Sequence, residues 1–224
     1  MSGLIRNQKF FSCGKPDAVQ VILMCWFGGK VWQLRRLVRV LNRAGYDVTA
    51  MDFPKTILSA GDIQLLPSLA SEVTERAEAI AKESKTEVLL IGISIGGLMA
   101  LNVLRRSKLF TKGILITGGD VAKAAKRFYK KAWPQDYEEL AEQWQSVNMY
   151  SDPKGLRGKT TLFVMHPSSK LIDARDVYHE VERQQKAGNR IMLVKRHRFD
   201  HIGTILEEAT LQPQRVLDYI AQVE

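Results

Sequence analysis

A strand, a serine-bearing turn and a helix follow one another without interruption at residues 87–104, and no other stretch constrains the fold as strongly. The apolar run 88–91 leads into Gly-Ile-Ser-Ile-Gly at 92–96, and leucines at helical spacing come next. Glycines on both sides of the serine remove the side chains that a sharp strand-to-helix turn excludes. The helix would direct its N-terminal amides and its positive dipole end toward the serine. The stretch predicts a candidate nucleophile at Ser94; a tight turn with an ordinary serine is the alternative.

Predicted strands and helices alternate along the chain, which indicates a mostly parallel sheet with helices on both faces, an α/β fold. Predicted strands lie at 19–26, 47–51, 113–117, 160–165 and 190–195, and a further one is the apolar run 88–91 that leads into Ser94. Predicted helices lie at 31–44, 69–83, 172–186 and 205–223, with one more directly after Ser94. The segment 4–13 could supply one further strand. We expect one domain over residues 1–224.

Residues 121–158 break this alternation and are expected to form a short helical lid inserted over the serine. Two helices are predicted there, at 121–131 and 136–146. The segment combines aromatic residues with the basic cluster Lys123, Lys126, Arg127, Lys130 and Lys131. Aromatic side chains under basic ones would suit an amphiphile with an anionic head group. The alternative is that these aromatics only anchor the helices on the sheet.

Composition and charge exclude several functional classes. The formal net charge is +9, but the basic residues are scattered and no nucleic-acid-binding module is visible, so nucleic acid is not an expected partner. No segment approaches the about 20 apolar residues that cross a bilayer. The N-terminus shows no secretory signal, and two cysteines, Cys13 and Cys25, do not make a disulfide framework. The expected location is cytoplasmic.

Four passages in order give the chain a family resemblance over most of its length. They are Phe-Gly-Gly at 27–29, the helix-to-strand passage at 44–52, Gly-Ile-Ser-Ile-Gly at 92–96 and Phe-Asp-His at 199–201. With these passages the chain resembles the α/β-hydrolase superfamily, whose members place a nucleophilic serine before a histidine in chain order. The resemblance implies the α/β-hydrolase fold and acyl-transfer chemistry without a metal or an organic cofactor.

The resemblance assigns the nucleophile and the base. Ser94 stands at the family's nucleophile position, and its hydroxyl needs a base because it is nearly inert at neutral pH. His201 stands where the family has its histidine, and an imidazole can both accept and return the proton. His197, nearer the end of the last strand, is the alternative base.

Two backbone amides would hold the oxyanion in such a site. In the family one belongs to the residue after the nucleophile, here Ile95, and the other to the loop after the first core strand, here Phe27. This chain has Cys25-Trp26 where His-Gly is usual. We therefore expect Trp26 either to crowd the pocket or to pack beneath it.

The acid that would orient the histidine is displaced from the family pattern. The usual position aligns with Ser169, and the first carboxylate beyond it is Asp173. Asp120, after the preceding strand, is the alternative acid, and Asp176 is a more distant one. A site without any acid is the remaining alternative, since the serine–histidine pair and the oxyanion hole retain part of catalysis.

Together these features predict a serine hydrolase that cleaves a carboxylic ester or thioester through an acyl-enzyme on Ser94. The expected substrate is a small-molecule acyl ester, including an amphiphile with an anionic head. A hydrolase-like fold that has lost efficient catalysis and serves as a binding protein is the alternative from a different class. An acyltransferase that uses the same residues is a third hypothesis. The sequence makes no prediction of the oligomeric state.

Overall fold

The computed structural model describes residues 4–56, 65–118, 147, 153–167, 173–197 and 200–224. Most of the predicted lid at 121–158 lies outside these ranges, as do both of its predicted helices and the alternative acid Asp120. The organisation of residues 1–224 as one domain with a lid stays a prediction.

Seven strands of the described chain form one sheet. The strands are β1 Asn7–Phe11, β2 Val19–Met24, β3 Tyr46–Asp52, β4 Val88–Ile93, β5 Lys112–Ile116, β6 Thr160–Met165 and β7 Arg190–Lys195. Their order is β1-β3-β2-β4-β5-β6-β7, in which β1 is antiparallel to β3 and all other neighbours are parallel. The predicted mostly parallel sheet is confirmed.

The described ranges contain six α-helices. They are α1 Arg35–Ala44, α2 Leu66–Glu83, α3 Ile95–Arg106, α4 Ala174–Lys186, α5 His201–Leu206 and α6 Arg215–Val223. Short 3-10 turns precede α1 at Val31–Leu34 and β6 at Pro153–Leu156. Gly45 ends α1 with a φ of 99°, the left-handed conformation predicted for the residue after this helix.

The sheet is covered on both faces, so the core has two layers. One layer packs α2, α3 and α4 against the sheet, and the other packs α1, α5 and α6 against the opposite face. Strand β2 contributes to both, because Ile22 and Met24 belong to the first layer and Val21 and Leu23 to the second. Burial on both faces explains why this strand is apolar from Val21 to Met24. None of the helices in the described ranges has the length and apolar character needed to span a bilayer.

The prediction of one last helix over 205–223 is wrong. The chain becomes helical earlier, at His201, because the Asp200 carboxylate accepts a hydrogen bond from the amide of Gly203 and caps α5. After a π-helical turn at Glu207–Leu211, the helix stops and resumes only at α6. Pro213 lies in this interruption, where its missing N–H and fixed φ do not allow a continuous helix. The break separates the segment that carries His201 from the C-terminal helix.

Candidate active site

Ser94 lies at the turn between β4 and α3 and has a strained backbone. Its φ and ψ are 56° and −115°, a conformation that an L-residue adopts only when its surroundings enforce it. The Ser94 amide donates to the carbonyl of Ile116 at the end of β5 (2.8 Å). Its own carbonyl accepts from the amide of Gly97 (2.9 Å), in the first turn of α3. These bonds hold the serine at the carboxyl edge of the parallel sheet.

The glycines around Ser94 are required by space. A Cβ on Gly92 would lie 2.1 Å from the carbonyl oxygen of Gly96, and a Cβ on Gly96 would lie 2.3 Å from that of Met24. Both contacts involve backbone, which cannot move aside as a flexible side chain can. Gly96 therefore lets the start of α3 press against the end of β2. As a result, the loop that follows β2 lies beside the serine turn.

His201 reaches Ser94 across the carboxyl edge of the sheet. The Oγ of Ser94 and the Nε2 of His201 are 3.2 Å apart, within hydrogen-bond distance. His201 is the first residue of α5, and only 6% of its surface is exposed. His197, the alternative base, is exposed four residues earlier. The structure thus brings together the serine and the histidine that the family resemblance indicated.

Burial keeps the His201 imidazole neutral. Desolvation lowers the pKa of His201 from 6.5 to about 4, and the nearby negative charge of Asp200 opposes this shift only in part. A neutral imidazole whose Nδ1 carries the proton offers an unprotonated Nε2 to the serine hydroxyl. The pair has the arrangement needed for proton transfer from Ser94 to His201.

The predicted acids are not seen to join this pair. Asp173 lies at the N-cap of α4, where its carboxylate accepts from the amide of Arg175 (2.9 Å) and approaches the Arg175 guanidinium (3.6 Å). Asp176 lies in the first turn of the same helix. Within the described ranges, no carboxylate is hydrogen-bonded to the imidazole of His201. The assignment of Asp173 as the acid, with Asp120 as the alternative, stays a prediction.

The two predicted oxyanion amides come from adjacent segments. Ile95 is the first residue of α3, and Phe27 follows β2 in the loop that Gly96 approaches. Neither amide donates a backbone hydrogen bond to any residue in the described part of the chain. Trp26 packs against the core layer beneath α1, where its ring fills the space that a side chain at position 29 would need. Whether Trp26 crowds the pocket or packs beneath it stays a prediction.

A buried charged cluster, not predicted from the sequence, surrounds the segment that carries His201. It consists of Arg196, Glu207, Glu208, Arg215 and Tyr219. Arg196 follows β7, whereas the two glutamates follow α5, so the cluster joins both ends of the segment 197–206. The only signal in the sequence is a Glu-Glu pair between apolar residues at 205–206 and 209.

The glutamates in this cluster are almost completely removed from solvent. Arg196 approaches Glu207 at 3.3 Å and Glu208 at 3.1 Å, and Arg215 approaches Glu207 at 2.5 Å. The hydroxyl of Tyr219 donates to Glu208 (2.9 Å). Burial nevertheless dominates and raises the pKa of Glu208 to about 7. Ion pairs of Glu207 with Arg196 and Arg215 link the segment that carries His201 to the end of β7 and to α6.

Within the described ranges, no three His, Cys, Asp or Glu side chains are grouped so that they could hold a metal ion. Cys25 is completely buried beside this edge of the sheet, and burial raises the pKa of its thiol. Cys13 and Cys25 are both free thiols.

Several solved hydrolases are similar to this chain in structure. The esterase Pf2001 of Pyrococcus furiosus matches with a TM-score of 0.65 and 18% identity, over 96% of this chain and 87% of the esterase. Esterase 2 of Thermogutta terrifontis, in a structure phosphonylated by sarin, gives 0.63 and 16% over 87% and 79%. The acylaminoacyl peptidase of Pyrococcus horikoshii gives 0.70 and 12%, over 96% of this chain but only 39% of the peptidase.

These likenesses define the fold. The chain has the α/β-hydrolase fold, as the sequence resemblance predicted. No protein-family model and no curated protein matches the sequence. At identities of 12 to 18%, the shared fold leaves the activity to be argued from the residues of this chain.

Proposed function

We propose that this chain is a serine hydrolase that cleaves a carboxylic ester or a thioester through an acyl-enzyme on Ser94. The observation that supports the proposal most directly is the 3.2 Å approach of His201 Nε2 to Ser94 Oγ. Three further features of the pair agree with it: the strained backbone of the serine, the burial of the histidine and the low pKa of its imidazole. A solvated histidine beside an ordinary serine would show none of these three features.

The reaction follows from these positions. His201 Nε2 accepts the hydroxyl proton while Ser94 Oγ forms a bond to the acyl carbon, whose carbonyl oxygen becomes an oxyanion. The amides of Ile95 and Phe27 donate to that oxyanion. Collapse of the intermediate breaks the bond to the leaving group, which takes the proton from His201. Water then attacks the acyl-enzyme by the same route, releasing the carboxylic acid and restoring the serine.

Comparison with known structures supports the hydrolase class. Two of the similar structures are esterases, and one of them is phosphonylated by sarin, an agent that reacts with activated nucleophiles. We extend to this chain only the class of reaction. Asp173 is the acid we propose for orienting His201, with Asp120 as the alternative. The substrate we propose is an acyl amphiphile with an anionic head, bound at Ser94 under the segment 121–158.

Labelling with a fluorophosphonate probe tests the proposal. The wild-type protein is expected to label rapidly, and both Ser94→Ala and His201→Ala should abolish labelling because one removes the nucleophile and the other its base. His197→Ala is the matched control, since it removes an exposed histidine four residues away. Labelling of Ser94→Ala at the wild-type rate would contradict the assignment of the nucleophile.

A catalytically degenerate binding protein is the second candidate. It is favoured by the absence, within the described residues, of a carboxylate hydrogen-bonded to His201. A folded wild-type protein that fails to label would favour this candidate over the hydrolase. If the protein does label, the products formed from an ester in the presence of an added alcohol distinguish hydrolysis from acyl transfer.

A further inference from the structure

A basic groove runs between the end of β1 and helix α1, away from Ser94. It has a volume of about 500 Å³. Its lining consists of Phe11, Ser12, Cys13, Arg35, Val38, Arg39, Asn42 and Arg43. Phe11 pairs with Val48 near the amino end of β3, whereas Ser94 follows the carboxyl end of β4. Phe11 therefore lies near the amino ends of the parallel strands, whereas the candidate active site lies at their carboxyl ends.

Three arginines form one wall of this groove. Arg35, Arg39 and Arg43 are four residues apart on α1, so their side chains share one side of the helix and succeed each other at a rise of about 6 Å. All three are exposed, and none is ion-paired with any residue in the described ranges. Helix α1 contains no acidic residue at all. The wall thus presents three guanidinium groups that form no ion pair with the described residues.

The rest of the groove is held in a fixed shape by hydrogen bonds. The Asn42 amide donates to the carbonyls of Phe11 (3.1 Å) and Tyr46 (2.8 Å), which ties α1 to β1 and β3. The amide of Cys13 donates to Asp47 (2.6 Å), so the carboxylate beside the groove is already engaged. Ser12 Oγ accepts from the amide of Gly14 (3.0 Å), which leaves its own proton free to donate to a ligand.

From this combination we propose that the groove is a second ligand site, and that it binds a small molecule bearing at least two phosphate groups. Arginine forks pair with phosphate oxygens in a bidentate manner, and three of them in a row exceed what one phosphate needs. A groove of about 500 Å³, open to solvent, has room for a small molecule. The site is independent of the hydrolase reaction proposed for Ser94.

Calorimetric titration with inorganic tripolyphosphate tests this site. The wild-type protein should bind it more tightly than inorganic monophosphate or sulfate at equal ionic strength, because only tripolyphosphate spans more than one arginine. The variant Arg35→Gln/Arg39→Gln/Arg43→Gln should lose at least about tenfold in affinity. The matched control is Arg76→Gln/Arg157→Gln/Arg190→Gln, which removes three exposed arginines elsewhere and should stay within about twofold of wild type.

Three outcomes would overturn the proposal. Failure of the wild-type protein to bind tripolyphosphate would remove the site. Equal weakening in both triple variants would show attraction by net charge alone. Tighter binding to phosphatidylserine vesicles than to tripolyphosphate, lost in the same groove variant, would identify a membrane contact. Because the groove is remote from Ser94, fluorophosphonate labelling by the groove variant provides an independent check that it is folded.

Discussion

The burial of His201 predicts that the candidate site keeps its base at unusually low pH. With a pKa of about 4, about 90% of the imidazole is neutral at about pH 5. With the ordinary value of 6.5, only about 3% would be neutral at that pH. Since only the neutral imidazole can accept the Ser94 proton, the fraction of reactive protein at about pH 5 differs by about thirtyfold between the two pKa values.

The assay is the second-order rate of fluorophosphonate labelling between about pH 4 and pH 8. We expect the rate to fall by no more than about twofold on going from about pH 8 to pH 5 and to drop steeply only below that. Circular dichroism at each pH separates loss of reactivity from loss of structure. A midpoint near pH 6.5, with the protein folded throughout, would refute the link between the burial of His201 and its protonation.

A direct measurement of the same quantity is the NMR titration of the imidazole Cε1–H resonances. The signal that disappears in His201→Gln belongs to His201, and its midpoint should lie well below the ordinary histidine value of 6.5. Agreement between this midpoint and the labelling profile would identify His201 as the group that limits reactivity in acid. A low NMR midpoint with a labelling midpoint near neutrality would instead indicate that another group controls the rate.

Three further predictions concern the packing and the buried charges of the protein. Gly96→Ala should lower the free energy of unfolding by at least about 1–3 kcal/mol in urea and slow labelling, because its Cβ would meet the Met24 carbonyl at 2.3 Å; wild-type values for both would contradict this. Glu180→Ala should lower the free energy of unfolding by about 3–5 kcal/mol, since it removes a completely buried carboxylate that contacts Arg105 (3.4 Å) and Arg183 (2.7 Å). Glu182→Ala, which breaks an exposed pair with Lys186, is the control and should be nearly silent. Glu208→Gln should gain about 2 kcal/mol in free energy of unfolding relative to wild type as pH rises from about 4.5 to about 7. The reason is that the raised pKa of Glu208 destabilises the folded wild type as its carboxyl group ionises. A difference in urea denaturation that does not change with pH would disprove it.

The sheet could be predicted from the sequence because its strands carry local signals. Strands β6 and β7 have the predicted bounds, Thr160–Met165 and Arg190–Lys195, since each is an apolar run flanked by polar residues. The bounds of the last helix could not be predicted in the same way. Helical periodicity continues through 201–223, but the start is determined by the Asp200 cap and the interruption coincides with Pro213. The Asp200 cap and Pro213 therefore determine the helix bounds there, and the helical periodicity does not.

In the candidate site, too, the residues with a local sequence signal could be predicted and those without one could not. Ser94 and His201 could be predicted because a motif and a chain order mark them, and the structure brings the two side chains to 3.2 Å. The charged cluster behind His201 could not, because nothing in the sequence distinguishes a buried glutamate from a solvated one. What makes Glu208 tolerable in the interior is its contacts with Arg196 and Tyr219, which come from two other elements.

The burial that lowers the pKa of His201 and the burial that raises the pKa of Glu208 have opposite consequences for stability. A histidine that stays neutral in the folded state favours folding more strongly as pH rises from about 4 to 6.5. A glutamate that stays protonated favours folding less as pH rises from about 4.5 to about 7. The two windows overlap, so the contributions offset each other in the wild-type protein. The stability contribution of the buried His201 is therefore offset, where the two windows overlap, only while the buried Glu208 seven residues later is present.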